Sequence, residues 1–190
     1  MIRIRRARPA DATAIAEVHV DCWRNTYAGI LPGTYLSGLS IMRIAAGYQR
    51  GMIERRNGEA LFVAVAPDGP AQTGSRIVGF ASGARCRQRW SGLDAEGEIQ
   101  TLYVQEDWRD LGIGRRLMRA TAAHLAAIGC SSAMLWVLSD NPSRWFYQRL
   151  EGRTVASGKV RVDDKGVPQT AFCWDPIEKL LRATASANGH

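Results

Sequence analysis

Tyr103-Val104-Gln105-Glu106-Asp107-Trp108-Arg109-Asp110-Leu111-Gly112-Ile113-Gly114-Arg115 runs from a β-branched and aromatic strand into a glycine turn and then into an amphipathic helix. Ile113, Leu117, Thr121, His124, Leu125 and Ile128 recur at helical spacing, and Gly129 is placed to stop the helix. Two glycines one residue apart let the backbone approach a ligand closely. The free N–H groups of the helix's first turn point outward with the positive end of the macrodipole behind them, which suits a pyrophosphate.

The common nucleotide motifs fail at this stretch. A Walker loop needs Lys and then Ser or Thr after its second glycine, whereas Gly114 is followed by Arg115 and Arg116. A Rossmann fingerprint needs a third glycine and an acidic residue about twenty positions on. What remains is Arg-x-x-Gly-x-Gly, read at Arg109, Gly112 and Gly114 behind a strand ending Leu102-Tyr103-Val104.

Working outward, Asp11 is placed to cap a helix from Ala12 to about Cys22, and Leu31 to Glu54 reads as helical with an interruption near Gly38. Leu61 to Ala66 and Arg76 to Arg85 read as strands of a hairpin around the turn-rich Pro67 to Gly74. Glu98 to Val104 and Ala133 to Leu138 are further strands, and Thr154 to Val162 with Thr170 to Trp174 makes a last hairpin around Asp164-Lys165-Gly166. Alternation along the Glu98 strand places Glu98, Gln100, Leu102 and Val104 on one face. At 190 residues the chain reads as one domain over 1–183 with a frayed tail over 184–190.

Composition narrows the function classes. Cys22, Cys86, Cys130 and Cys173 are far apart with no Cys-x-x-Cys pair, so neither a metal site nor a disulfide framework is signalled. No signal-peptide pattern and no run of about eighteen apolar residues is present, and the expectation is a cytoplasmic protein without membrane association. A net charge of +7 is spread over several arginine groups, with no nucleic-acid motif beside them. A basic surface equally draws in a polyanionic small molecule.

The loop from Arg109 to Arg115, the strands before and after it, Asn141 and the run Trp145-Phe146-Tyr147-Gln148-Arg149-Leu150 together resemble the GCN5-related N-acetyltransferase (GNAT) family. Ile4 to Asp11 is similar to the family's opening strand and helix start, and Ala171-Phe172-Cys173-Trp174 to its closing strand. The resemblance implies an α/β (α+β) single-domain fold. Its mixed, mostly antiparallel twisted sheet would have six to seven strands flanked by helices, with the fourth and fifth splayed for acyl-CoA. It implies acetyl-CoA as cosubstrate and no metal. Leu102, Tyr103, Val104 and Asn141 would meet the pantetheine arm, and Arg109, Asp110, Leu111, Gly112, Ile113, Gly114 and Arg115 the pyrophosphate. Two departures stand out: Asp110-Leu111 replaces the usual Gly and polar residue, so Asp110 has to face solvent or Arg115, and Glu151 stands where a glycine commonly follows Leu150.

An amine attacking a thioester has to be neutral, negative charge develops on the carbonyl oxygen, and the departing sulfur takes a proton. By resemblance Tyr147 is the acid and Glu98, through a water, the base; Tyr147 is equally a packing aromatic and Glu98 a solvated strand-start charge. Trp23, Tyr27 and Tyr35 either form one wall of the acceptor site or pack the first two helices on the sheet. The acceptor class stays open between a small-molecule amine and a peptide or protein amine, and a homodimer follows from family behaviour. A non-catalytic acyl-CoA-binding or sensing module of the same fold is the alternative. His124, His19 and His190 carry no expected chemistry.

Overall fold

The computed structural model describes residues 1–67, 75–87 and 94–185. Seven strands form one sheet in the order β1-β2-β3-β4-β5-β7-β6. They are β1 (Arg3–Arg6), β2 (Ala60–Pro67), β3 (Ser75–Arg85), β4 (Gly97–Val104), β5 (Ala133–Leu138), β6 (Arg153–Val162) and β7 (Lys165–Trp174). All neighbours are antiparallel except β4 and β5. That parallel pair is joined by the crossover helix α4 (Ile113–Ala127), as a parallel connection requires. The expected fold is present, with the last hairpin longer than its apolar pattern suggested and turning at Asp163-Asp164. The expected turn through Pro67 to Gly74 lies mostly outside the described residues, as does the tail beyond Ala185.

Helices cover both faces of the sheet. On one side lie α1 (Ala12–Thr26), α2 (Gly33–Ser37) and α3 (Ile41–Glu54); Ile15, Val18 and Cys22 of α1 pack on Val63, Val65, Ile77 and Phe80. On the other, Ile113 and Leu117 of α4 pack on Ala64, Ala66, Val78 and Ala81. Met118, Ala122 and Leu125 extend that layer over Leu135, Phe172 and Trp174, together with α5 (Arg144–Arg149) and α6 (Glu178–Ala183). Burial of this kind contributes roughly 25 cal/mol per Å² of apolar surface, which explains why the periodic apolar positions fix the layers.

Three details differ from the local reading of the sequence. Asp11 does not cap α1 with its side chain; its carboxylate accepts the Arg8 N–H at 2.7 Å and forms a two-pronged ion pair with Arg5 at 2.7 and 2.9 Å. Helix α1 continues to Thr26, four residues past Cys22. The stretch from Leu31 is two helices, and the second starts at Ser40, whose hydroxyl accepts the Arg43 N–H.

Strand β4 carries the detail that positions the site. Ser82 pairs with Thr101 while Gly83 pairs with Ile99, so Gln100 is a bulge residue with no partner in β3. The extra residue reverses the face of everything before it. Leu102 and Val104 pack with Ile113 and Leu117 on the α4 side, whereas Tyr103 packs with Phe80 and α1. Gly97 and Ile99 also look toward α4: a Cβ on Gly97 would come within 3.0 Å of Leu125, and Ile99 shares a cluster with it. Glu98, between them, points to the α1 side with Tyr103. The expectation that Glu98 shares a face with Leu102 and Val104 is therefore corrected, because simple alternation does not survive the bulge.

Candidate active site

The sheet opens between β4 and β5. Their register contains Gly97 with Ala133 and Glu98 with Met134, and nothing beyond. From Ile99 on, β4 is paired to β3 alone, while β5 is paired to β7 along its whole length. The edge of β4 that faces the gap therefore carries free backbone groups. Gln105 donates its N–H to Val78 O at 2.9 Å, so by strand alternation Tyr103 also directs its N–H and C=O at β3. Leu102 and Val104 direct theirs into the gap.

The glycine turn sits at the end of that edge. Gly112 has φ +71° and is the residue from which α4 starts; Asp110, at φ 60°, shares the left-handed conformation. The first intrahelical bond is from Arg116 N–H to Gly112 O at 3.1 Å. The N–H groups of Ile113, Gly114 and Arg115 consequently project beyond the helix end with the macrodipole behind them. Asp110 and Leu111 are exposed, so the carboxylate faces solvent. Arg109 is engaged elsewhere: its guanidinium donates to Thr26 Oγ1 at 3.0 Å, tying the loop to the end of α1. Gly114 faces α5, where a Cβ would stand 3.4 Å from Phe146 Cζ.

Tyr147, one turn into α5, is 7% exposed and lies among the rings of Phe146, Phe172 and Trp174. Burial, with Tyr27 nearby, pushes its phenol far above the ordinary range, so it stays protonated at any working pH. Asn141 follows β5 and is buried. Its Oδ1 accepts the Ser143 N–H at 2.8 Å, and its Nδ2 donates to the Tyr27 hydroxyl at 3.2 Å. Glu98 is half-buried, and desolvation raises its carboxyl pKa, partly offset by Arg87.

The α1 side is aromatic. Trp23 stacks edge-on with Tyr27 at 5.0 Å and lies 6.0 Å from Tyr35. The Trp23 indole N–H donates to the Tyr103 hydroxyl at 2.8 Å. Tyr27, with Leu31 and Leu36, also packs on Val162 and Val167 of the last hairpin, closing one end of this layer. Three contacts here had no signal in the sequence: the bulge at Gln100, the Trp23–Tyr103 bond and the Arg109–Thr26 bond. Each joins residues whose types are common everywhere. His19 lies among Trp23, Tyr48, Phe80 and Tyr103 on the α1 side, and His124 bonds to Gly58 O. Two open clefts elsewhere, one beside Met52 and Glu59 and one beside Glu17 and Arg76, contain none of these groups.

The model of the acetyltransferase (GNAT) family matches residues 13–152 of the chain. The chain belongs to the GNAT family. An uncharacterized N-acetyltransferase of Bacillus subtilis, YuaI, is 31% identical to it over 180 residues, covering 95% of this chain and 96% of that protein. Among solved GNAT-like structures, the PaiA N-acetyltransferase of Thermoplasma acidophilum, in complex with coenzyme A, superposes with a TM-score of 0.65 at 17% identity, covering 90% of this chain and 98% of that one. YncA of Salmonella typhimurium, solved with acetyl-CoA, does so with a TM-score of 0.62 at 18% identity, covering 92% and 93%. This GNAT chain is thus an acyltransferase by family, and no helix among its described residues is long and apolar enough to cross a membrane.

Proposed function

We propose that the protein transfers an acetyl group from acetyl-CoA to an amine by direct attack in a ternary complex. The observation that carries this reading is the gap between β4 and β5, together with the free amides of Ile113 to Arg115 at the start of α4; Tyr147, in the helix that follows β5, is the acid in this reading. The residues suit the molecule. Three outward amides at a helix start, with Arg115 beside them, match a pyrophosphate, and the gap-facing N–H and C=O groups of Leu102 and Val104 match the amides of a pantetheine arm. Tyr103 would contribute packing from its side chain, since its backbone serves β3.

Glu98 takes a proton from the incoming amine through a water; its raised pKa brings it closer to the ammonium it relieves. As the carbon–sulfur bond breaks, Tyr147 offers its hydroxyl hydrogen to the sulfur. A departing thiol with a pKa of about 8.5 is nearly stable as a thiolate, so this donation is worth roughly 10²-fold. Trp23, Tyr27 and Tyr35 form the α1 wall, and an aromatic wall with Glu98 on the same face favours an acceptor that carries positive charge before deprotonation. Either a small-molecule amine or a peptide or protein amine meets that description.

The test is calorimetric titration with acetyl-CoA, followed by thiol release in the presence of an amine panel. Saturable one-to-one binding is expected, lost in Gly112→Val, whose φ of +71° no β-branched residue tolerates. Tyr147→Phe is expected to lower turnover about 10²-fold with acetyl-CoA affinity kept within about threefold. Binding without turnover on any amine would turn the reading toward an acyl-CoA sensor, and no binding at millimolar ligand would end it.

A further inference from the structure

The C-terminal end of α1, which carries the aromatic wall, is tied by its side chains to the groups around the gap. Over its last turns four hydrogen bonds reach them. Gln105, just past β4, donates from Nε2 to Asp21 Oδ2 at 3.2 Å, and Trp23 donates its indole N–H to the Tyr103 hydroxyl at 2.8 Å. Asn141, past β5, donates to the Tyr27 hydroxyl at 3.2 Å. Arg109, in the glycine turn, donates from Nη2 to Thr26 Oγ1 at 3.0 Å.

The Arg109–Thr26 bond differs from the other three in where its donor sits. Tyr103, Gln105 and Asn141 belong to a strand or follow one, whereas Arg109 is an exposed residue of the turn before α4, beside the outward amides of Ile113 to Arg115. A guanidinium carries five N–H donors, and among the described residues Arg109 spends one, on Thr26. The rest, with the positive charge, stay at the turn, and their fork suits phosphate oxygens. Thr26 in turn adjoins Tyr27 and stands one helical turn from Trp23, and those two rings meet edge-on at 5.0 Å. Fixing Thr26 therefore fixes the wall.

We propose that Arg109 and Thr26 are positioning residues for the acceptor: Arg109 gives its remaining donors to the cosubstrate pyrophosphate while keeping its bond to Thr26, so that filling the gap holds the end of α1 and with it Trp23 and Tyr27. Acetyl-CoA then raises the affinity for the amine, and the amine raises that for acetyl-CoA by the same factor. The inference rests on the acetyltransferase reading and adds to it a defined link between the two halves of the ternary complex.

Hydrogen exchange on the full-length protein tests the link without an acceptor, using acetyl-CoA as the probe. In the wild type, saturating acetyl-CoA is expected to slow exchange over residues 21–30 about fivefold or more, beyond any slowing of the β1 and β2 amides at the far edge of the sheet. Thr26→Val keeps the side-chain shape and removes the hydroxyl. It is expected to lose the slowing at the end of α1, to keep it at Leu102 and Val104, and to bind acetyl-CoA within about twofold of the wild type. Thr26→Ser retains the hydroxyl and restores the slowing. On an amine that turns over, Thr26→Val is expected to raise the amine KM about fivefold with kcat within about twofold. Should Thr26→Val not fold, Arg109→Ala removes the same bond from an exposed position, and at saturating acetyl-CoA the slowing is again confined to Leu102 and Val104. Equal slowing over 21–30 in the wild type and Thr26→Val, or none there while Leu102 and Val104 slow, would overturn the link and leave the acetyltransferase reading standing. No binding of acetyl-CoA at millimolar concentration would remove both.

Discussion

Glu98 and His19 are both desolvated titratable side chains on the α1 face of the sheet, and burial moves them in opposite directions. For Glu98 desolvation disfavours the anion, so the carboxyl titrates above its ordinary value and a base-dependent rate rises at higher pH than an exposed carboxylate would give. Glu98→Gln is expected to lower kcat/KM about 10–100-fold and to flatten the acid limb of its pH profile. An unchanged profile would assign that limb to the acceptor. For His19 desolvation disfavours the cation and holds the imidazole down to about 4, against 6.5 for a free one. The unfolded chain then binds the extra proton between those values, so stability is complete above pH 6.5 and falls as pH drops toward 4. His19→Gln should remove about 2 kcal/mol of that slope in denaturant titrations run across the window. Neither environment was legible in the sequence: His19 reads only as a mid-helix residue, and its neighbours Tyr48, Phe80 and Tyr103 come from three separate elements.

Individual elements divide between those dictated locally and those settled by a neighbour. Helix α4 and strand β5 were legible because the helix's apolar period with its stop at Gly129, and the strand's apolar run, are each written in a short contiguous stretch. The bulge at Gln100 was not, since a one-residue offset in a register leaves the composition of β4 unchanged. Asp11 carries a good cap signature, but Arg5, in the adjacent strand, claims its carboxylate. After α5 the chain turns at Glu151, whose φ is 61°, and Gly152 N–H closes the turn on Tyr147 O at 3.0 Å. Glu151 thus adopts the left-handed conformation that a glycine reaches without steric cost, so the turn is kept where its usual residue is missing. Glu151→Gly is expected to raise stability by about 1 kcal/mol, read as a few degrees in the melting temperature. A fall would mean that the extra freedom of glycine in the unfolded chain outweighs the relief.

At the scale of the whole molecule, the two pairs joining β4 to β5 make one sheet out of two nearly independent halves, β1 to β4 and β5 to β7. The crossover through α4 and the shared cluster of Leu125, Leu135, Phe172 and Trp174 hold the halves together behind the gap. A ligand lying in that gap binds only the folded arrangement and therefore stabilises it by mass action. Hydrogen exchange on adding acetyl-CoA is expected to slow at the Leu102 and Val104 amides, with the Tyr103 amide, already bonded to β3, changing least. Uniform slowing along β4 would instead indicate global stabilisation without specific pairing.

An unpaired strand edge is ordinarily an aggregation hazard, because any extended chain can add to it. Here the open edge of β4 lies inside the sheet, roofed by α1 on one face and α4 on the other. A partner's β-strand has side chains projecting to both faces, toward α1 on one and α4 on the other. The two layers of helix therefore shield a strand edge that would otherwise be open to pairing with another chain.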